Sequence, residues 1–423
     1  MTSDNNDKKK LLNNFFSLFM VEGLNYIFPL ITFPYIIQTI GIEKFGLLSF
    51  AAAFMAYPAL LVIYGLDLSG AREVASSKNS TRKLSIILSS IMLTRMILMF
   101  LSLLLTLTVV FSFDHFTKDW LVYLVTFGSI IGTMSFPVWF FQGMEKMKFI
   151  TYLTLGSRLL YTIAIFVFVQ SEEDFLFVPL LNFLSMFIVG IISLVVIYRE
   201  FGVSLQFPRT KYIFLQFYKG WYLFISHFSI NLFTGLNMII LGMVSSNLIV
   251  GYYALAEKVV TIIISLFSPV NQALYPHVVQ LVKKSKEVSI VFVEKIFKYM
   301  FLASTLILLF FVLFSKIIFG FVFGENSLNS LPVFYILSVL IIIRPLAGWV
   351  YNVVLISFKQ EKYFVKMFLT AAVVNIIVIS ILLPWFGAKE NVIAFSLVVS
   401  EIIALSLGLY LYRSKVLRFK GSL

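Results

Sequence analysis

Long apolar runs of Leu, Ile, Phe and Val alternate with short polar interruptions along almost the whole chain. Strand alternation is lost beneath these runs. A membrane-spanning β-barrel would need short alternating segments instead, so helices are the expected spanning element. Twelve intervals are long enough to cross about 30 Å of hydrocarbon at about 1.5 Å per residue. They run approximately over 14–38, 45–66, 85–111, 120–142, 150–170, 175–198, 219–244, 248–270, 299–318, 331–357, 367–386 and 391–412.

The basic residues support this division. With the N-terminus inside, 25 of the 33 Lys and Arg fall in cytoplasmic segments, 4 fall outside and 4 lie within spans. That asymmetry is the positive-inside pattern, and one missed helix would scramble every later loop. The net charge of +13 is thereby read as topology, with no nucleic-acid partner. Lys8 to Lys10 precede an apolar run from Leu11 to Ile42, too long for the core of a signal peptide.

The halves echo each other. Ile40–Ala52 reads IGIEKFGLLSFAA and Ser245–Ala256 reads SSNLIVGYYALA, which superposes Gly46 on Gly251. The expected fold class is therefore all-α integral membrane, about twelve transmembrane helices in a 6+6 repeat with both termini cytoplasmic. The expected divisions are a tail at 1–13, a six-helix half at 14–198, a linker at 199–218, a second half at 219–412 and a tail at 413–423. A parallel repeat of this kind implies a binding site between its halves.

Composition then removes function classes. The chain is 60% hydrophobic and 13% charged, with a mean hydropathy of +0.97. It has no Cys, which excludes disulfides, thiolate metal sites and Cys nucleophiles. No Gly-rich nucleotide loop and no HExxH occur, and His115, His227 and His277 have no metal-ligand spacing. No catalytic residue, cofactor or metal is expected. No expected external loop exceeds roughly a dozen residues, whereas a membrane glycan polymerase usually carries a large one.

Seven ionisable residues interrupt the spans: Glu22, Arg95, Arg158, Glu257, Lys258, Arg344 and Glu401. Each would cost roughly 2.5–3.5 kcal/mol facing lipid at the bilayer centre, so together they imply a protein interior or an aqueous path. Arg keeps its charge, and its fork suits phosphate and carboxylate. Four cations against three acids leave one cation over, a sign that favours an anionic substrate. Arg95, Arg158, Lys258 and Arg344 are the candidate substrate-facing cations. Glu22, Glu257 and Glu401 are candidates for ion coupling or for pairing with the arginines. Glu257 and Lys258 are about 100° apart on a helix and need different partners. Asp67 and Arg72, in YGLDLSGAREVA, read as a cytoplasmic-end motif. Pro29 and Pro34 should kink or unwind the first span, with Gly41 and Gly46 beside its outer turn as further gating positions.

The stretch NYIFPLITFPYIIQTIGIEKFGLLSFAAAF followed by YGLDLSGAREVA resembles bacterial polysaccharide flippases of the Wzx type, in the multidrug/oligosaccharidyl-lipid/polysaccharide exporter superfamily. Pro29, Pro34, Tyr35, Gly41 and Gly46 carry the match, while Gln38 stands where such proteins often have Arg. The resemblance implies transport of an undecaprenyl-diphosphate-linked oligosaccharide to the outer leaflet by alternating access, driven by an ion gradient, through a central cavity that is often cationic. It implies residence in the bacterial cytoplasmic membrane among membrane lipids. The polysaccharide polymerase and glycosyltransferases of the same pathway are candidate partners. A drug/cation antiporter of the same superfamily is the alternative, and an acid-rich interior would favour it.

Overall fold

A computed structural model describes the backbone of residues 2–360 and 363–417, and the side chains of 23, 28–225, 235–360, 363–364 and 366–417. Among the described residues the chain is helical with no strand. It divides into two compact units, residues 1–228 and 229–423.

The first unit opens with α1 (Thr2–Ile63), followed by α2 (Leu66–Ser76), α3 (Thr81–Ser112) and the single turn α4 (Asp114–Thr117). Next come α5 (Trp120–Ser135), α6 (Val138–Gly143), α7 (Met147–Phe168) and α8 (Phe177–Phe201). Helix α9 (Thr210–Val244) begins in the first unit and ends in the second. The second unit continues with α10 (Asn247–Ser265), α11 (Ser268–Lys284), α12 (Lys286–Leu313) and the turn α13 (Ser315–Ile318). It closes with α14 (Leu331–Ser338), α15 (Leu340–Gly348), α16 (Phe364–Leu382) and α17 (Lys389–Leu411). Eight helical segments are long and apolar enough to cross a membrane among the described residues. A ninth arises if the pair Glu325–Ser338 and Leu340–Leu355, bent by 42°, counts as one span.

Burial follows the rules of a lipid solvent. Large apolar side chains such as Phe100, Leu105, Leu302, Leu306 and Leu313 are exposed. Small hydroxyls are buried: Ser90, Thr94, Ser102 and Thr106 are all at most 3% exposed. Leu gains little by leaving lipid, whereas small residues let helices approach closely. Thr94 returns its proton to its own helix at Ser90 O, 2.7 Å, and Thr106 to Ser102 O, 2.8 Å, whereas Ser102 donates across to Pro58 O on α1 at 3.2 Å. Each unit still has an aromatic-rich core, around Trp139, Phe140 and Phe141 in the first and Trp349, Val353 and Val278 in the second.

Several expectations meet a different local structure. The first helix is not unwound at Pro29 or Pro34; its one non-helical residue is Gly41, at φ 77°, ψ 164°. A proline's φ is already helical, so it removes a hydrogen bond without forcing the chain out of the helix. Gly41 adopts a backbone region closed to side chains with a Cβ, and it alone makes the turn. Gly46 is a buried position inside the helix that follows. The interval 120–142 is broken where Pro137 separates α5 from α6. Helix α12 starts at Lys286, well before the expected 299, and α11 fills a stretch read as loop. Hydropathy detects the part of a helix in lipid, and the Lys-bearing turns of α11 and α12 lie outside that signal.

The segment between α8 and α9 is strapped down. Ser204 N–H donates to Ser85 Oγ at 3.2 Å and Gln206 N–H to Ser89 Oγ at 2.8 Å. Ser85 and Ser89 are four apart on α3 and therefore share a face. Gln216 then donates to Glu73 Oε2 at 3.3 Å and to Ser90 Oγ at 3.4 Å, and Lys219 Nζ pairs with Glu73 Oε1 at 2.9 Å. Beside them the helix is interrupted at Tyr64 (φ 47°) and Gly65 (φ 69°). A Cβ on Gly65 would lie 2.3 Å from Leu223 Cβ, and one on Gly220 would lie 2.5 Å from Tyr64 O. These contacts hold the linker and the start of α9 in the first unit, so the division falls within α9 rather than in the linker.

Candidate functional site

The structure distributes the intramembrane charges between the two units. In the first, Arg95 sits fourteen residues into α3, about 21 Å along the axis from Thr81. Its Nη2 donates to Asp67 Oδ1 at 2.6 Å. The Arg95 side chain is 4% exposed and Asp67 48%. Asp67 reaches this depth because α3 folds back antiparallel to the preceding helix and α2 alike, so that Ser102 meets Pro58 and Arg95 meets Asp67 in one register. The sequence placed Asp67 at a cytoplasmic helix end and gave Arg95 the partners Glu22, Glu257 or Glu401. The actual partner comes from the end motif instead. Arg95 Nε is buried with no hydrogen-bond partner among the described residues.

This pair changes the charge count. With Asp67 added, four intramembrane cations face four acids, and the single-cation excess expected from the sequence disappears. Arg72, the other half of the end motif, is exposed on α2. Arg158 lies half-buried on α7, within electrostatic reach of Tyr161 one turn later. Glu22 lies outside the described side chains. Of the kink positions, Pro29 and Pro34 are half-buried on the first helix. Tyr35, next to Pro34, donates to Val169 O at the end of α7 at 2.7 Å and so ties the proline-bearing segment to α7.

The second unit gathers the rest. Arg344 lies on α15, after the 42° bend and immediately before Pro345, with a π-helical turn at Trp349–Leu355 beyond it. Bends and π-turns of this kind re-aim side chains and recur at functional sites. Arg344 Nε donates to Glu401 Oε1 on α17 at 2.9 Å. Glu257, half-buried on α10, is within electrostatic reach of both Arg344 and Lys258, and Lys258 is exposed. Arg344 thus stands between two carboxylates, bonded to one and in the field of the other. Sequence reasoning missed a buried amide pair in this unit: Asn375 Nδ2 donates to Asn237 Oδ1 at 2.8 Å, each residue 1% exposed. Two lone Asn in apolar runs were the available signal.

The histidines with described side chains are packing groups. His115 is edge-on to Phe50 and Phe116, and His277 to Phe292. His227 lies outside the described side chains. Charged groups in matched pairs, with aromatic and amide neighbours, can bind and release an ionic ligand.

Comparison with known proteins agrees with this picture. A "Putative O-antigen transporter" of Escherichia coli (strain K12) is 27% identical over 98% of this chain and 99% of its own length. A second "Putative O-antigen transporter", from Shigella dysenteriae, is 29% identical over 63% of this chain and 67% of its own. Among solved structures, an inward-facing multidrug resistance MATE family transporter of the MOP superfamily aligns with a TM-score of 0.70 at 12% identity. That alignment covers 93% of this chain and 96% of the other. The lipid II flippase MurJ, in an inward closed conformation, aligns with a TM-score of 0.68 at 12% identity, covering 95% and 88%. At these identities the two structures speak to the fold. The family model described as polysaccharide biosynthesis protein matches residues 11–282, well over half of the chain. The chain is therefore a multi-pass membrane protein that belongs to the polysaccharide biosynthesis protein family.

Proposed function

We propose that the protein is a flippase, and not an enzyme, that moves undecaprenyl-diphosphate-linked oligosaccharide repeat units across the bacterial cytoplasmic membrane for surface polysaccharide assembly. The single observation that carries this reading is the end-to-end match to a putative O-antigen transporter, 98% of this chain against 99% of that one. Two compact units fit alternating access by a pair of halves, which this reading takes to hold six spans each with both termini cytoplasmic. With no nucleotide-binding loop, an ion gradient supplies the drive. Arg95, Arg158, Lys258 and Arg344 contribute the charge that meets the diphosphate. On this reading Glu257 and Glu401, which share Arg344, couple the ion, with Glu22 as a further carboxylate. Polymerase and glycosyltransferases of the same pathway act after and before it.

A drug/cation antiporter is the second reading, and the level charge count produced by Asp67 favours it. A deletion strain separates the two. On the flippase reading it accumulates lipid-linked repeat units on the cytoplasmic side and recovers surface polysaccharide when the intact gene is restored. Unchanged surface polysaccharide together with heightened sensitivity to cationic drugs would favour the antiporter, and external accumulation of repeat units would indicate a polymerase.

A further inference from the structure

We propose that Asp67 is a stand-in anion, which holds the Arg95 guanidinium in the substrate-free protein and yields it to a phosphate oxygen of the incoming lipid-linked diphosphate. The inference rests on the flippase reading and assigns a specificity role to a carboxylate that reading leaves out.

Three observations carry it. First, the contact is end-on and incomplete. One carboxylate oxygen meets one guanidinium nitrogen at 2.6 Å, while Nε stays buried with no hydrogen-bond partner among the described residues. A guanidinium offers five donors in a fixed fork, and a phosphate can engage two of them side by side. Second, the two partners differ in exposure. Arg95 is 4% exposed and Asp67 is 48%. A half-exposed carboxylate held at the depth of Arg95 in the apolar α3 cannot face hydrocarbon cheaply, so the open side of Asp67 is an aqueous one. The carboxylate can therefore swing into water, whereas the buried Arg95 cannot be left without an anion. Exchange must be one for one. Third, α2 does not depend on the ion pair for its seat. Leu66 and Val74 are fully buried, and a Cβ on Gly70 would lie 2.8 Å from both Ile91 and Trp139.

This arrangement selects by charge. An anionic head group replaces Asp67 and satisfies Arg95. A cationic cargo would draw Asp67 away and leave Arg95 buried without a counter-ion, so it is rejected. In the empty state the carboxylate also competes with the substrate and lowers its apparent affinity.

The test uses the full-length protein in lipid nanodiscs, with undecaprenyl diphosphate as the probe and a melting temperature recorded for every variant. Asp67→Asn keeps an acceptor oxygen but removes the competing charge, and it should bind the probe about tenfold more tightly. Arg95→Gln should lose binding. The charge swap Asp67→Arg with Arg95→Asp should melt as the wild type does, yet fail to bind, because the cation then sits on the exposed side without its buried seat. The inference is overturned if D67N binds no more tightly than wild type while R95Q abolishes binding, or if the swap restores both stability and binding, which is the behaviour of a purely structural pair. The swap decides the matter where D67N does not fold. If the wild type itself does not bind the probe, the flippase reading fails, and that outcome is distinct from the other two.

Discussion

Arg344 on α15 and Glu401 on α17 are joined by a 2.9 Å hydrogen bond from Nε to Oε1, 57 positions apart in the chain. Their side chains are 23% and 10% exposed. Two charges at this depth attract each other strongly but also lose hydration, so the pair contributes more to specificity of arrangement than to net stability.

Breaking the pair from one side should be costly. Glu401→Gln removes the carboxylate bonded to Arg344 and should destabilise the protein by about 3 kcal/mol, the low end for a buried pair because Arg344 keeps some exposure. Replacing both residues, Arg344→Met with Glu401→Leu, should recover most of that loss. Thermal unfolding in detergent measures both. A double variant as unstable as the single one would show that the two residues do not act as a pair.

The strap between α8 and α9 should loosen when its acceptors are removed. Ser85→Ala with Ser89→Ala deprives the Ser204 and Gln206 amides of their partners, at about 1 kcal/mol for each hydrogen bond. Limited trypsin digestion reads the result, through faster cleavage after Arg199 or Arg209. Glu73→Gln should add little, because Lys219 is 35% exposed and such pairs contribute about 0–1 kcal/mol. Cleavage rates equal to wild type in the double serine variant would mean that the hydroxyls are not what fastens the segment.

Glycines should respond according to their surroundings. Gly65→Ala and Gly220→Ala each place a Cβ within 2.5 Å of neighbouring atoms, and Gly65 also has φ 69°. Both should lower the melting temperature and the yield of folded protein, with a cost of about 1–3 kcal/mol for overpacking. Gly156→Ala on α7 meets nothing within 4 Å and should raise stability by about 0.5–1 kcal/mol through helix propensity. The ordering of the three melting temperatures checks the packing directly.

Arg158 and Lys258 should separate function from stability. Arg158 is half-buried on α7 and Lys258 is exposed on α10. Arg158→Gln and Lys258→Gln should therefore reduce delivery of surface polysaccharide by about tenfold or more, the loss of one charge-assisted hydrogen bond, with little change in melting temperature. Arg158→Lys should recover part of the activity if charge matters more than the fork. Full polysaccharide in both Gln variants would remove them from the substrate path.

Much of this architecture was legible in the residues. A Leu and Phe run long enough to span lipid has one backbone solution, because every amide must be satisfied within the segment. The polar breaks and the lysines beside them then mark where helices leave the membrane. The helix start at Lys286, the break at Pro137 and the helix α11 were less legible, since turns in water leave no hydropathy signal.

The charged site divides along the same line. The residue types and their depth were a property of the sequence: a cation within an apolar run must have company, whatever the fold. Which acid accompanies which cation was a tertiary matter. Asp67 reaches Arg95 because α2 carries on in the direction of the preceding helix and the turn at 77–80 folds α3 back along both, so that Pro58 meets Ser102 and Asp67 meets Arg95. Arg344 finds Glu401 because a bend and a π-turn aim α15 at α17. The apolar pattern determines that a segment is helical and buried in lipid, since that depends on one residue's own transfer energy. Pairing depends on the distance between residues far apart in the chain, and only packed helices set that distance.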